Sequence, residues 1–417
     1  MRIVLLAGLL CFVVAASLRA QQEREFDVPW LKVGNESYPP YSPEKPYTGW
    51  MSRYFKWGPF WVHAGTSARV KYCDNIYYSP SSIEPVSDAI FAAEVALRAD
   101  LVRYSKYYLL LGLNARRNEY LSYSGLSNNE ILFKADTKFW IRRNLDFGCS
   151  INFAQEVEPV SILYADRCGR TRLNFLAFSD WKTPVEKLKT RFELQEENTN
   201  FWGKVFSNLD HNEVYFNTLI SYLFRPKLTL TGRLGGGFLT YTDSWLNDFS
   251  YVVFYCGGRG ELSPKTRYVG ELGLYVQSVS VSNSAAQDEY TGPVWRGSFE
   301  WQATGKMLFC LEILRWIECH AAANYQVVDS FGSRVRWVMT KRIYLEGSFR
   351  FELSNPASQG GYLARFAWRF AGNAGAYYRL KHFLYLGVGL EYVRRLSHIP
   401  LASYHVTTVY LHCTIAF

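Results

Sequence analysis

IYLEGSFRFEL, from Ile343 to Leu353, places Ile343, Leu345, Gly347, Phe349, Phe351 and Leu353 at odd positions and Tyr344, Glu346, Ser348, Arg350 and Glu352 at even ones. A period of two is that of a β-strand, whose successive side chains point to opposite faces. One face of this strand is greasy and the other is charged. The same alternation stands in Ile131 to Trp140, where Ile131, Phe133, Ala135 and Phe139 oppose Lys134, Asp136 and Lys138. It recurs in Ala93 to Leu101, where Val95, Leu97 and Leu101 oppose Glu94, Arg98 and Asp100. A soluble β-sandwich also alternates, so the surroundings of these strands must separate a sandwich from a membrane barrel.

Outward from Ile343, the pair Lys341-Arg342 belongs to a series of short basic turns. Ser105-Lys106, Arg142-Arg143, Arg225-Pro226-Lys227, Ser263-Pro264-Lys265, Gly305-Lys306 and Lys381-His382 are the others. They stand 36 to 41 residues apart, except for one gap of 84 with Lys182-Thr183-Pro184-Val185 near its middle. Each interval holds two strand-like runs joined by a longer polar loop, such as Thr242 to Asn247, Asn283 to Gly292 and Ser354 to Gly361. Short turns at one end and long loops at the other are the build of an outer-membrane barrel, with the turns in the periplasm. Seven intervals give fourteen strands. Two more precede them, near Phe60 to Cys73 and Asp88 to Val102, and two follow, near Phe383 to Arg394 and Tyr404 to Phe417. The expected fold is therefore all-β, a closed antiparallel transmembrane β-barrel of about 18 strands over residues 59–417. The runs near 170 to 197 are weak, which leaves 16 open.

Composition agrees. The 417 residues include 30 Tyr, 28 Phe and 13 Trp, yet mean hydropathy is only −0.13. No internal stretch has the 18 apolar residues of a membrane helix. Residues 1–20 have the form of a signal peptide, with Arg2, an apolar run from Ile3 to Ala16, and Ala20 before Gln21. Cys11, inside that apolar run, is a poor lipid-anchor site. Loss of Arg2 and Arg19 would lower the formal charge from +9 to +7. With export expected, that modest basic excess points to anionic lipid headgroups or acidic solutes, not nucleic acid. Residues 21–58 hold Pro29, Pro39, Pro40, Pro43 and Pro46 among Trp30, Tyr38, Tyr41, Tyr47 and Trp50, too much proline for barrel strand. They read as an extended periplasmic tail or as a segment folded into the lumen. Cys73, Cys149, Cys168, Cys256, Cys310, Cys319 and Cys413 are odd in number and widely spaced, so they make neither a disulfide framework nor a metal motif.

The chain ends on Phe417, with Ile415, Cys413, Leu411 and Val409 receding at every second place. A terminal aromatic on an apolar face is similar to the signal read by the barrel-assembly machinery. The stretch from Tyr222, YLFRPKLTLTGRLGGGFLTYTDSWLNDFSYVVFYCGGRGELSPKTRYVGELGLYVQSV, and the closing EYVRRLSHIPLASYHVTTVYLHCTIAF resemble the outer-membrane β-barrel porins often encoded beside exopolysaccharide genes. The carriers are the turn Leu262-Ser263-Pro264-Lys265-Thr266, the nearby Asn247-Asp248, and Arg395, Ser397 and Tyr404 before Phe417. The resemblance is clear over about 85 residues. It implies a barrel that assists polysaccharide passage.

Motifs of catalysis are missing. There is no HExxH, Walker loop or GxSxG. Gly387 and Gly389 begin a dinucleotide-like pattern but sit on an alternating strand, where thin packing explains them. Gly235-Gly236-Gly237 reads as a strand bend or bulge. Ser397, His398 and His405 are the residues an outer-membrane lipase would use, and adjacency on a loop is weak support for one. His412 reads as a lone inward polar residue. No enzyme, metal or cofactor is expected. The expected pore-lining residues are Lys134, Asp136, Lys138, Arg233, Arg267, Glu271, Glu346, Arg350, Arg365, Arg369 and Glu391. Seven are basic and four acidic, so weak anion preference follows. The expected partners are outer-membrane lipid, the assembly machinery, and small polar solutes or polysaccharide, with both termini periplasmic. The alternative is a closed structural barrel without conductance.

Overall fold

The computed structural model describes residues 55–57, 59–79, 84–103, 107–142, 144–159, 167–183, 185, 187–202, 210–242, 248–280, 288–320, 324–356, 367–381, 383–397 and 403–416. A three-residue strand, β1 (Phe55–Trp57), precedes eighteen long ones. These are β2 (Phe60–Cys73), β3 (Asp88–Arg103), β4 (Tyr107–Tyr120), β5 (Asn128–Arg142), β6 (Leu145–Pro159) and β7 (Arg167–Lys182). Then come β8 (Leu188–Phe201), β9 (His211–Arg225), β10 (Leu228–Tyr241), β11 (Asp248–Ser263), β12 (Thr266–Ser280) and β13 (Asp288–Thr304). The last six are β14 (Met307–His320), β15 (Asn324–Val338), β16 (Ile343–Pro356), β17 (Ala367–Lys381), β18 (Leu384–Ser397) and β19 (Tyr404–Ala416).

Each long strand pairs antiparallel with the next, and β19 pairs with β2 from Thr408↔Cys73 to Ala416↔Gly65, closing the ring. Closure leaves no lipid-exposed edge, which in hydrocarbon would cost several kcal/mol for each unpaired group. β1 pairs Phe55↔Val62 and Trp57↔Phe60, on the edge of β2 that lies beyond the end of β19. The sheet thus begins at Phe55.

All eight hairpin turns fall where the basic residues mark them, five with only two residues between strands, as between Arg225 and Leu228. Of the turn residues, Ser105, Lys106, Arg143, Pro184 and His382 lie outside the described residues. The weak region is fully stranded as β7 and β8, which gives 18 wall strands and not 16. Two expected loops are shorter than read. Asp288 to Gly292 belongs to β13, where Tyr290 pairs with Gln277. Ser354 to Pro356 belongs to β16, where Pro356 pairs with Gln326. The Gly235-Gly236-Gly237 run is no bulge: it pairs in unbroken register with β9 and β11. A Cβ on Gly237 would meet the Tyr251 hydroxyl at 2.7 Å, so the glycines make room for neighbouring rings.

Strands of 13 to 17 residues, rising about 3.3 Å per residue and tilted about 40°, outreach the ~25 Å apolar band of such barrels at both ends. The outer face carries that band: Phe192, Leu194, Phe238, Phe254, Leu272, Ile313, Phe349, Val409 and Leu411 are all exposed. Exposed apolar surface this continuous is stable only against lipid. Among the described residues no helix is long and apolar enough to cross a membrane.

Candidate functional site

The polar surface faces inward. Buried residues recur at alternate positions, and the expected charged residues share the parity of those positions, with Arg233 and Glu271 themselves buried. Lys134, Asp136 and Lys138 share a face of β5 with buried Glu130. Arg233 shares one with Thr231 on β10, and Glu271 with Tyr275 on β12. Arg267 follows the same parity at the turn end, where it is exposed and lies 3.5 Å from Glu261. Glu346 and Arg350 line up with Tyr344 on β16, Arg369 with Tyr377 on β17, and Glu391 with Tyr385 on β18. Arg365 lies outside the described residues.

These charges are knitted to partners, several of which lie outside the expected pore-lining set. Glu271 lies 3.1 Å from Arg296 and 3.9 Å from Arg233, and accepts a hydrogen bond from Thr231 at 3.1 Å. Glu352 lies 3.5 Å from Arg350 and 3.1 Å from Arg369, joining two residues of the expected set. Lys134 and Asp136 pair at 3.1 Å, and Lys138 reaches Asp146 and Asp180 at 3.1 Å each. Glu346 lies 3.5 Å from Arg336. On the other arc clusters of both signs occur. Arg116 sits between Glu94 at 3.0 Å and Glu130 at 3.4 Å. Glu156 takes Arg170 and Arg172, while Glu193 and Glu197 bind Asn217 and Asn174. A charge held away from water must be paired or hydrogen-bonded, and these are. The inner wall therefore alternates two-Arg, one-Glu clusters with two-acid, one-base clusters.

Aromatic rings fill the spaces between. Tyr215, Tyr251, Tyr275 and Tyr290 form one inward row, with ring centroids 6.4, 5.5 and 6.5 Å apart in turn. A second row near the turn end joins Tyr344 and Tyr377, stacked at 4.3 Å, to His412 at 5.2 Å. Tyr410 continues it, 5.8 Å from His412, with the Arg69 guanidinium over its ring at 4.9 Å. His412 is thus part of a stack, not a lone polar residue. Gly387 and Gly389 face these rings, and a side chain on either would collide with His412 or Tyr410. The thin packing expected at these glycines is an allowance for aromatic neighbours.

Of the expected assembly signal, Val409 and Leu411 are exposed outward, and Cys413 and Ile415 share their parity. Phe417 lies outside the described residues, as do residues 1–20 and nearly all of residues 21–58. Cys73, Cys149, Cys256 and Cys310 are free thiols on strands, and Cys413 lies on β19. Among the described residues no cluster could hold a metal ion. Ser397 is bonded through its backbone, its N–H donating to Ser403 Oγ at 2.9 Å and its carbonyl accepting from it at 3.0 Å. His398 lies outside the described residues.

No protein-family model and no curated sequence matches the chain. Among solved structures it is similar to the outer membrane protein OpdK of Pseudomonas aeruginosa, with TM-score 0.49 and 11% identity over 85% of this chain and 99% of that one. OccK2 (OpdF) of the same organism gives TM-score 0.49 and 9% identity, over 85% and 98%. The FrpB iron transporter of Neisseria meningitidis gives TM-score 0.47 and 9% identity, over 80% of this chain and 62% of that chain.

Proposed function

We propose that the chain is an outer-membrane channel that passes small polar solutes through a charged lumen. The supporting observation is the contrast between the two faces of one closed wall. Outside, exposed apolar residues recur at alternate positions along the strands. Inside, carboxylates and guanidinium groups stand in hydrogen-bonded clusters that suit water and ions, not a packed apolar core. Barrels of 16 to 18 strands are wide enough for an aqueous passage unless something fills them. Selectivity is weak in this reading, because nearly every inward cation sits beside an acid. The surplus is positive at Glu271 and Glu352, each shared by two arginines, and negative at Arg116 and Lys138, each beside two acids; the seven-to-four basic excess of the expected lining residues tips the weak preference to anions.

Residues 1–20 act as a leader, the turn end faces the periplasm, and Phe417 with Ile415, Cys413, Leu411 and Val409 is offered to the assembly machinery. Polysaccharide passage is the finer cargo that the family resemblance implies. A closed structural barrel is the second reading, favoured by how completely the inward tyrosines are covered. Liposome swelling with neutral sugars of rising size separates the three. Uptake of mono- and disaccharides supports the small-solute channel. Uptake extending to long oligosaccharides supports the polysaccharide reading, and no uptake supports the closed barrel. The same assay on a chain lacking residues 21–54 reports whether that segment narrows the path.

A further inference from the structure

The wall changes character between β13 and β14. Their ladder runs from Thr304↔Met307 to Trp295↔Arg315 and stops there. The β12–β13 and β14–β15 ladders continue on either side, to Val279↔Asp288 and His320↔Asn324. Below the stop, β14 and β15 are ordinary wall: Ile313 and its partner Phe331 are 50% and 41% exposed to the outside. Above it both faces are buried. Trp316 is 8% exposed and Ile317 only 1%, and Val328 opposite Trp316 is 3% exposed. A wall strand keeps one face outward, so a strand end buried on both faces has left the wall.

Its destination is the lumen. Ile317 shares parity with Ile313, yet it packs in one cluster with Val294 and the inward tyrosines 215, 251 and 275. Tyr325 and Val327, beside it across the β14–β15 ladder, join the same cluster, and Tyr325 lies 4.5 Å from Tyr290 between ring centroids. Trp316 and Ile317 also line a cavity with Tyr215, Arg233 and Glu271, which stand on strands β9, β10 and β12. The former outer face of the hairpin end therefore lies on the inner face of the neighbouring arc.

The departure point has a physical cause. One step above Ile313 and Phe331, at the same parity and part-buried, Arg315 and Asp329 pair at 2.8 Å, and Arg315 also lies over the Trp295 ring at 4.2 Å. An ion pair and a tryptophan at this parity end the apolar run, as at the rim of an apolar band. Only beyond that rim can the backbone edges of β13 and β14 part, because water there satisfies the freed groups.

Resting on the channel reading, we infer that the loop end of the β14–β15 hairpin is a gate folded into the lumen and seated on the inward tyrosine row. The seat consists of contacts from Ile317, Tyr325 and Val327, with no β13–β14 hydrogen bonds to break on opening. The hairpin swings about the Trp295↔Arg315 pair, and the solute path lies along the tyrosine face that it uncovers.

The test is single-channel recording in planar bilayers on the full-length protein, on the double variant Ile317→Ala with Tyr325→Ala, and on Ile313→Ala as a control on the same face below the rim. Removing the buried Ile317 side chain and the part-buried Tyr325 ring from the seat should shorten closed dwell times by on the order of tenfold or more, and Ile313→Ala should leave them unchanged. Hydrogen exchange of Leu314 to Ile317 and of Val327 to Ser330 should quicken in the double variant alone. Faster exchange with unaltered dwell times would make the hairpin a structural brace and overturn the gate. Unaltered exchange and dwell times would overturn the seat itself. If none of the proteins conducts, the channel reading falls and the gate with it, while the exchange result still decides whether the seat exists.

Discussion

Glu271 shows how single residues set the inner wall. It is 4% exposed and shared by Arg233 and Arg296. Glu271→Gln leaves two guanidinium groups without their carboxylate. Breaking a buried pair in this way costs about 3–5 kcal/mol, so the urea midpoint of the folded barrel should fall. In a channel the same change should move the reversal potential across a salt gradient further toward anion selectivity. A midpoint and selectivity equal to wild type would mean that Glu271 does not hold those arginines. On the outer face, Phe349→Arg should destabilise by about 2–4 kcal/mol if the residue lies at the bilayer midplane. Unchanged urea resistance and an unchanged heat-modifiable gel shift would contradict its contact with lipid. Gly389 tests the aromatic allowance. Gly389→Leu forces a side chain into Tyr410 and should cost about 1–3 kcal/mol by overpacking, seen as a lower urea midpoint.

At the scale of strands and hairpins, the turns were legible because a basic or proline-containing break interrupts the period-two pattern about every 40 residues. β8 was faint for a specific reason. Its inward residues Arg191, Glu193, Gln195 and Glu197 alternate with apolar Phe192 and Leu194, but then with exposed Glu196 and Asn198. The strand has climbed beyond the lipid there, and its outer face no longer needs to be greasy. The same overrun hid the ends of β13 and β16, whose polar residues resemble loop. The parity of the charged residues on β5, β10, β12 and β16, shared with the buried residues of those strands, was readable from the sequence. Their partners were not, because Arg116 between Glu94 and Glu130, or Arg296 on Glu271, depends on register between strands. The fold of the β14–β15 hairpin end was also invisible: Trp316 and Ile317 are apolar neighbours in sequence, and nothing local says that both are buried. One prediction belongs to the last strand. Deleting Phe417 should slow assembly in cells, measured as the fraction of heat-modifiable barrel after a pulse of synthesis. A wild-type fraction would remove the terminal aromatic from the signal.

Over the whole molecule, the account is of an apolar cylinder with a paired, mildly basic interior and one hairpin turned inward at its loop end. Anion preference from a few surplus guanidinium groups should fade with salt, because the Debye length falls from ~10 Å at 0.1 M to ~3 Å at 1 M. The most direct test is the conductance of purified full-length protein in a planar bilayer, at both salt concentrations and across a gradient. The account predicts discrete ohmic steps with a weak anion-selective reversal potential that shrinks at 1 M salt. A heat-modifiable, correctly folded barrel that inserts without any conductance step would contradict it.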